Sequence, residues 1–182
     1  MKNSYKEYKQ LNLTETADDI RRFWEENGIF QKSLDNRSKD NAFVFFEGPP
    51  SANGLPGIHH VMARTIKDAV CRYRTQKGFR VERKAGWDTH GLPVELGVEA
   101  LLGITKEDIG KKISIEEYNQ ACRTEVMKYT DKWRQLTEQM GYWVDLDHPY
   151  VTYHTKYVES LWWLLKKLYE GGYLYKGKTI QP

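Results

Sequence analysis

The chain is predicted to fold as α/β, with helices wound on a parallel sheet, and three observations carry that prediction. Residues 42–47 (Ala-Phe-Val-Phe-Phe-Glu) are a continuous β-prone run without alternation, the pattern of a buried strand. Residues 58–77 follow with Ile58, Val61, Met62, Ile66, Ala69, Val70 and Tyr73 at the helical period. Residues 79–87 are a second β-prone run. Strand, loop, helix and strand make a βαβ unit, whose strands are parallel and whose crossover is right-handed.

The elements follow in order. Residues 16–27 read as a short helix: Thr16 is the candidate N-cap with Asp19 completing a capping box, Ile20, Phe23 and Trp24 form its apolar stripe, and Gly28 stops it. Residues 31–41 read as a polar connector. Residues 48–57, Gly-Pro-Pro-Ser-Ala-Asn-Gly-Leu-Pro-Gly, must be loop, because neither helix nor strand tolerates that density of Pro and Gly. Gly78 ends the helix over 58–77. Residues 92–102 read as helix, and Ser114-Ile115-Glu116-Glu117 as a capping box opening a long helix to Met140. Residues 154–170 are a further helix, apolar at Leu161, Trp162, Leu164, Leu165 and Leu168 and stopped by Gly171-Gly172. Residues 173–180 read as a third strand. The chain stops at Pro182 directly after it, which predicts a boundary inside a larger protein.

Composition removes several classes. With 28 Lys+Arg against 25 Asp+Glu the net charge is +3, and the charges are interspersed, as on an ordinary solvated surface. Cys71 and Cys122 lie far apart with no Cys-x-x-Cys, so a disulfide framework is not expected and both read as small core residues. Residues 1–10 hold no apolar signal core, and no stretch approaches the ~20 apolar residues that span a bilayer. A soluble cytoplasmic protein with no membrane partner is expected.

Two segments carry candidate chemistry. Ligands of doubly wound folds sit beyond the carboxyl ends of the strands, where the loop after the first strand and Asp88-Thr89-His90-Gly91 after the second should meet. His59 and His60 fall in the opening turn of the helix that starts at Ile58, where free backbone N–H groups and the helix dipole favour anions. The glycines of the loop let a flat ligand approach the backbone. Neither Gly-x-x-x-x-Gly-Lys-Ser/Thr nor Gly-x-Gly-x-x-Gly is present. Asp88, after Trp87, is placed to hold a substrate ammonium.

Glu47-Gly48-Pro49-Pro50-Ser51-Ala52-Asn53-Gly54, the His-containing helix start and Gly86-Trp87-Asp88-Thr89-His90-Gly91-Leu92-Pro93-Val94-Glu95 together resemble the class I aminoacyl-tRNA synthetases, and within them the isoleucyl-tRNA synthetase family. Thr65-Ile66-Lys67-Asp68 and Arg72-Tyr73 fit as well. The similarity is close over 41–95 and looser to Pro182, through Gly141-Tyr142-Trp143-Val144-Asp145 and 171–177. The resemblance implies the first half of a Rossmann-like doubly wound parallel sheet. Residues 1–41 would be an N-terminal helical extension and connector, and 42–182 the first half of the catalytic domain, ending before an editing insertion. It implies activation of isoleucine with ATP and Mg2+, transfer to tRNA(Ile), a monomer, and no metal bound by this piece.

By the same resemblance Gly48, Pro49, Trp87 and Asp88 bind the amino acid. Asn53, Gly54, Gly57, His59 and His60 bind ATP, with His59 and His60 as the catalytic pair. The family's His-x-Gly-His signature aligns with Gly57-Ile58-His59-His60, where only His60 matches in place. Glycine stands where the family has its first histidine, and His59 is read as supplying that imidazole from a neighbouring position. The second family signature, Lys-Met-Ser-Lys-Ser, does not occur, so the piece is expected to be inactive alone.

Three rivals remain at this level. His59, His60, Asp88 and His90 would suit a zinc site if they converged, although no His-x-x-x-His spacing supports it. Tyr118, Tyr129 and Trp133 among the basic residues of 111–139 would suit a non-enzymatic RNA-binding module, against the dilution by Glu116, Glu117, Glu125, Asp131 and Glu138. A class I enzyme for valine, leucine or methionine differs only in its substrate pocket.

Overall fold

β1 (Ala42–Phe46), β2 (Arg80–Trp87) and β3 (Asp145–Val151) form one parallel sheet in the order β1-β2-β3. The computed structural model describes residues 10–180, which also contain seven α-helices: α1 (Leu13–Glu26), α2 (Ile29–Asp35), α3 (Ile58–Gln76), α4 (Leu92–Leu102), α5 (Ile115–Val126), α6 (Thr130–Gln139) and α7 (Thr155–Glu170). The α/β class and the βαβ unit β1-α3-β2 are as expected.

Several elements differ from the reading of the sequence. The N-cap of α1 is Asn12, whose side chain accepts from Glu15 N–H, so the helix opens before Thr16. Part of the expected connector is helical: α2 is docked by Arg37, which donates to the carbonyls of Ser33 (2.6 Å) and Thr75 (3.1 Å), and by Arg80, which donates to Leu34 O (2.7 Å). The long helix after Ser114 is two helices, broken over 127–129. Its start is right, with the Ser114–Glu117 capping box formed in both directions.

The third strand was misplaced. It is β3, whose Asp145, Asp147, His148 and Pro149 break any β-prone pattern; it is held because Gly86 and Trp87 of β2 pair with Tyr150 and Val151 across an irregular register. Residues 173–180 take no regular form, and they pair with no strand among the described residues. β1 is also less buried than its sequence suggested. As an outer strand it covers one face only: Phe43 meets Phe79 edge-on at 6.5 Å, while Val44 and Phe46 stay exposed.

The core that positions the site is small and aromatic. Ala52, Trp87, Trp133 and Val151 form one buried cluster, with Met127, Tyr129 and Tyr153 against it. Ala85, Tyr142 and Val144 form a second. The motif residues of α3 tie these to the sheet. Asp68 bonds Arg72 (2.6 Å) and the buried Arg83 (3.0 Å), whose pKa burial lowers. Lys67 pairs with the buried carboxylate of Glu47, which Tyr142 also donates to. A carboxylate buried without such partners costs several kcal/mol, so the end of β1 depends on α3 and Tyr142. Burial and the Glu47 contact raise the Tyr142 pKa, keeping its hydroxyl a donor.

Candidate active site

The two expected segments meet at the carboxyl end of the sheet, and their backbones make the junction. Asp88 N–H donates to Pro50 O (3.0 Å), and Ser51 and Asp88 form an isolated parallel bridge. Gly48, Pro49 and Asp88 therefore stand on one rim. Gly48 lies over Lys67, whose Nζ is 3.7 Å from where a Cβ would sit. Asp88 is half-buried, and its Oδ1 accepts from His90 N–H at 3.4 Å, a turn closed on itself. Trp87 lies beneath: it is 6% exposed and packs on Ala52, Trp133 and Val151, so its indole supports the rim rather than facing a ligand.

On the other side, Trp133 of α6 holds the loop. Its Nε1–H donates to Gly54 O (2.9 Å), and Tyr129 N–H donates to Ala52 O (3.1 Å). Ser51 Oγ donates to Asn53 Oδ1 (2.8 Å), which turns the loop over the cluster. His60 sets its ring edge on Trp133 at 4.7 Å, and Arg64 stacks on the same indole at 4.9 Å. Trp133 thus joins the segment that carries His60 to the segment that carries Asp88. The residue was missed as a site element. Its signal in the sequence, an aromatic within a charged helix, pointed to base stacking, yet Trp133 and Tyr118 are buried and unavailable for it.

The histidine pair is ordered by its own turn. His60 Nδ1 accepts Gly57 N–H at 2.9 Å, which places the ring proton on Nε2. Burial lowers the His60 pKa, and His59 and Arg64 lower it further, which favours the neutral imidazole. The His59 ring lies 3.8 Å from that of His60. A Cβ at Gly57 would stand 3.0 Å from His59 Cε1 and 3.1 Å from Nδ1, so the His59 ring fills the space a side chain at 57 would enter. At the β2 end, Thr89 and His90 are bonded to Thr152, just past β3.

Among the described residues no three His, Cys, Asp or Glu side chains group as a metal site, so His59, His60, Asp88 and His90 do not converge as a zinc centre. No described helix is long and apolar enough to cross a membrane.

The parallel sheet thus carries a helix start with two histidines after β1 and an acid after β2, at the ends of adjacent strands. The sequence profile of the family described as tRNA synthetases class I (I, L, M and V) matches residues 19–182, and the chain belongs to that family. It is 64% identical over all 182 residues to the isoleucine--tRNA ligase of Bacteroides thetaiotaomicron and 63% identical to that of Porphyromonas gingivalis. To that of Cytophaga hutchinsonii it is 59% identical over 174 residues. In each case the chain spans 16% of the relative's length. Among solved structures it is similar to the LeuRS of Agrobacterium radiobacter, a ternary complex with tRNA and LeuAMS. That TM-score is 0.59 at 22% identity, covering 90% of this chain and 19% of that one.

Proposed function

We propose that this chain is the first half of the catalytic domain of an isoleucine-activating synthetase, with 1–41, of which 1–9 lie outside the described residues, as its N-terminal extension and 42–182 as the nucleotide- and amino-acid-binding half. The observation that carries the reading is the junction of Asp88 with Pro50 and Ser51, tied through Trp133 to the helix start that carries His60. It supports a reading in which an acid for the substrate ammonium and a helix start for phosphate share one end of the sheet. The choice of isoleucine is supported by the relatives' identity over the whole chain.

In this reading Asp88 takes the substrate ammonium, and Gly48 and Pro49 shape the floor beside it. Trp87 carries Asp88 from below. Asn53, Gly54 and Gly57 let the nucleotide lie on backbone, and the α3 N-terminus with the Nε2–H of His60 meets phosphate oxygens. His59 replaces the imidazole that Gly57 lacks. The amino-acid carboxylate attacks the α-phosphorus and pyrophosphate leaves, with no covalent enzyme intermediate. The residues here contribute position and fixed donors aimed at developing charge. Magnesium would enter with ATP and supply charge neutralisation on its phosphates. The terminal ribose hydroxyl of tRNA(Ile) then attacks the aminoacyl carbonyl of the adenylate, forming the ester and releasing AMP. Cys71 and Cys122, both free thiols, support a cytoplasmic setting, and the reading takes the enzyme as a monomer.

The test is isoleucine-dependent ATP–pyrophosphate exchange by the full chain. Asp88→Asn is expected to lower kcat/KM for isoleucine by roughly 10²-fold or more, the scale on which a lost ion-paired contact acts. The 182-residue chain alone is expected to give no exchange. Exchange by the pure short chain would sink the half-site reading, and better turnover of valine or leucine would sink the substrate.

A further inference from the structure

We propose that Thr152 is a positioning residue for the amino acid. It holds the turn that carries Asp88, and the same hydroxyl bonds the Nδ1 of His90. The inference rests on the isoleucine-activating reading and concerns a residue that no sequence motif marks.

Thr152 follows β3 directly and is 7% exposed. Its N–H donates to Trp87 O (3.2 Å). Its hydroxyl meets three partners: Thr89 N–H at 3.0 Å, Thr89 Oγ1 at 2.7 Å and His90 Nδ1 at 2.9 Å. A hydroxyl has one proton and two lone pairs, so these partners saturate it. Thr89 N–H takes one lone pair. The proton and the second lone pair are divided between Thr89 Oγ1 and His90 Nδ1, which allows two arrangements. If Thr152 donates to Nδ1, Thr89 donates to Thr152, and the neutral His90 ring carries its proton on Nε2. If Nδ1–H donates to Thr152, Thr152 donates to Thr89, and Nε2 of the neutral ring is bare.

Segment 87–90 is thus bonded to the end of β3 on both sides of Asp88, while Asp88 N–H is fixed to Pro50. The backbone that carries the carboxylate is therefore held from both sides, which aims the side chain from a fixed position. Deleting the hydroxyl leaves Thr89 N–H, which is buried, without its acceptor and frees His90 to turn. The nucleotide side, held by Trp133 and Gly57, shares none of these bonds.

The experiment uses the full chain and reads the KM of each substrate in ATP–pyrophosphate exchange. Thr152→Val keeps the shape and removes the hydroxyl, and Thr152→Ser keeps the hydroxyl. Thr152→Val is expected to raise KM for isoleucine roughly tenfold while KM for ATP stays within about twofold, with Thr152→Ser near wild type on both. An unchanged Thr152→Val, an equal rise for both substrates, or a Thr152→Ser as impaired as Thr152→Val each overturns the proposal. A wild-type chain without isoleucine-dependent exchange removes the functional reading and this inference together, whereas an active wild type with an unselective Thr152→Val removes the role of Thr152 alone.

Discussion

Single atoms decide several features of this site. At Gly86 a Cβ would stand 2.3 Å from Cζ of Tyr150, so only glycine lets that ring lie flat on β2, one residue before Trp87. Gly91 holds φ at +108°, which lets the chain turn from His90 into α4. His60 shows the same economy in protons, since Gly57 N–H occupies its Nδ1 lone pair. Its folded pKa lies below the ordinary 6.5, so the unfolded chain binds the extra proton first as pH falls. The stabilisation is therefore complete above 6.5 and is lost as pH drops through the folded value. An NMR titration of the ring should give a midpoint below 6.5, and His60→Gln should lose less stability than wild type between neutral and mildly acidic pH. A midpoint at or above 6.5 would remove the neutral-donor role.

Among the elements, caps and junctions matter more than propensity. α5 begins where Ser114 Oγ accepts Glu117 N–H (3.2 Å) and Glu117 Oε2 accepts from the Ser114 hydroxyl (2.6 Å) and Ser114 N–H (3.0 Å), and the hydroxyl first, then the N–H, hold the Glu117 pKa down. Ser114→Ala should cost about 1 kcal/mol, read as a lower denaturant midpoint at unchanged m-value. α4 lies against α5 and buries Val94, Val98 and Tyr118, whose hydroxyl burial pushes up to about 12. That pair fixes the route from Asp88 toward α6, and α6 delivers Trp133 to the loop. The sequence marked α3, α4 and the start of α5 because amphipathic period, Gly and Ser-x-x-Glu are local signals. It missed the break over 127–129 and the strand β3, because both are set by distant partners: Ala52 O takes Tyr129 N–H, and β2 pairs with a segment that has no β propensity of its own.

At the scale of the whole molecule, the apolar surface is unbalanced. Ile58, Met62, Ile66 and Tyr73 make an exposed stripe along α3, Val44 and Phe46 an exposed face on β1, and Trp162 and Trp163 an exposed patch on α7. No residue of α7 is buried. Soluble monomers rarely leave contiguous patches beyond a few hundred Å2 uncovered. With this chain spanning 16% of the length of its relatives, those faces are expected to close against the remainder of the protein. The 182-residue chain should then bind a hydrophobic dye strongly and the full chain weakly, and equal weak binding by both would show the faces closed within this piece.

The sequence by itself determined the α/β class, the βαβ unit, the loop over 48–57, the helix start with its histidines and the acid at the end of β2. Each of these is written in near neighbours, through hydrophobic period, glycine and proline density, and contiguous motifs. The tertiary structure alone decided which segment becomes the third strand, that Trp87 and Trp133 lie under the site rather than in it, and that Thr152 closes on Thr89 and His90. Those outcomes depend on groups more than 60 positions apart, such as the Thr152–Thr89 and Trp133–Gly54 bonds with separations of 63 and 79. A hydrogen bond or a buried indole at that range leaves no periodic trace in the chain; it exists only once the sheet has brought its ends together.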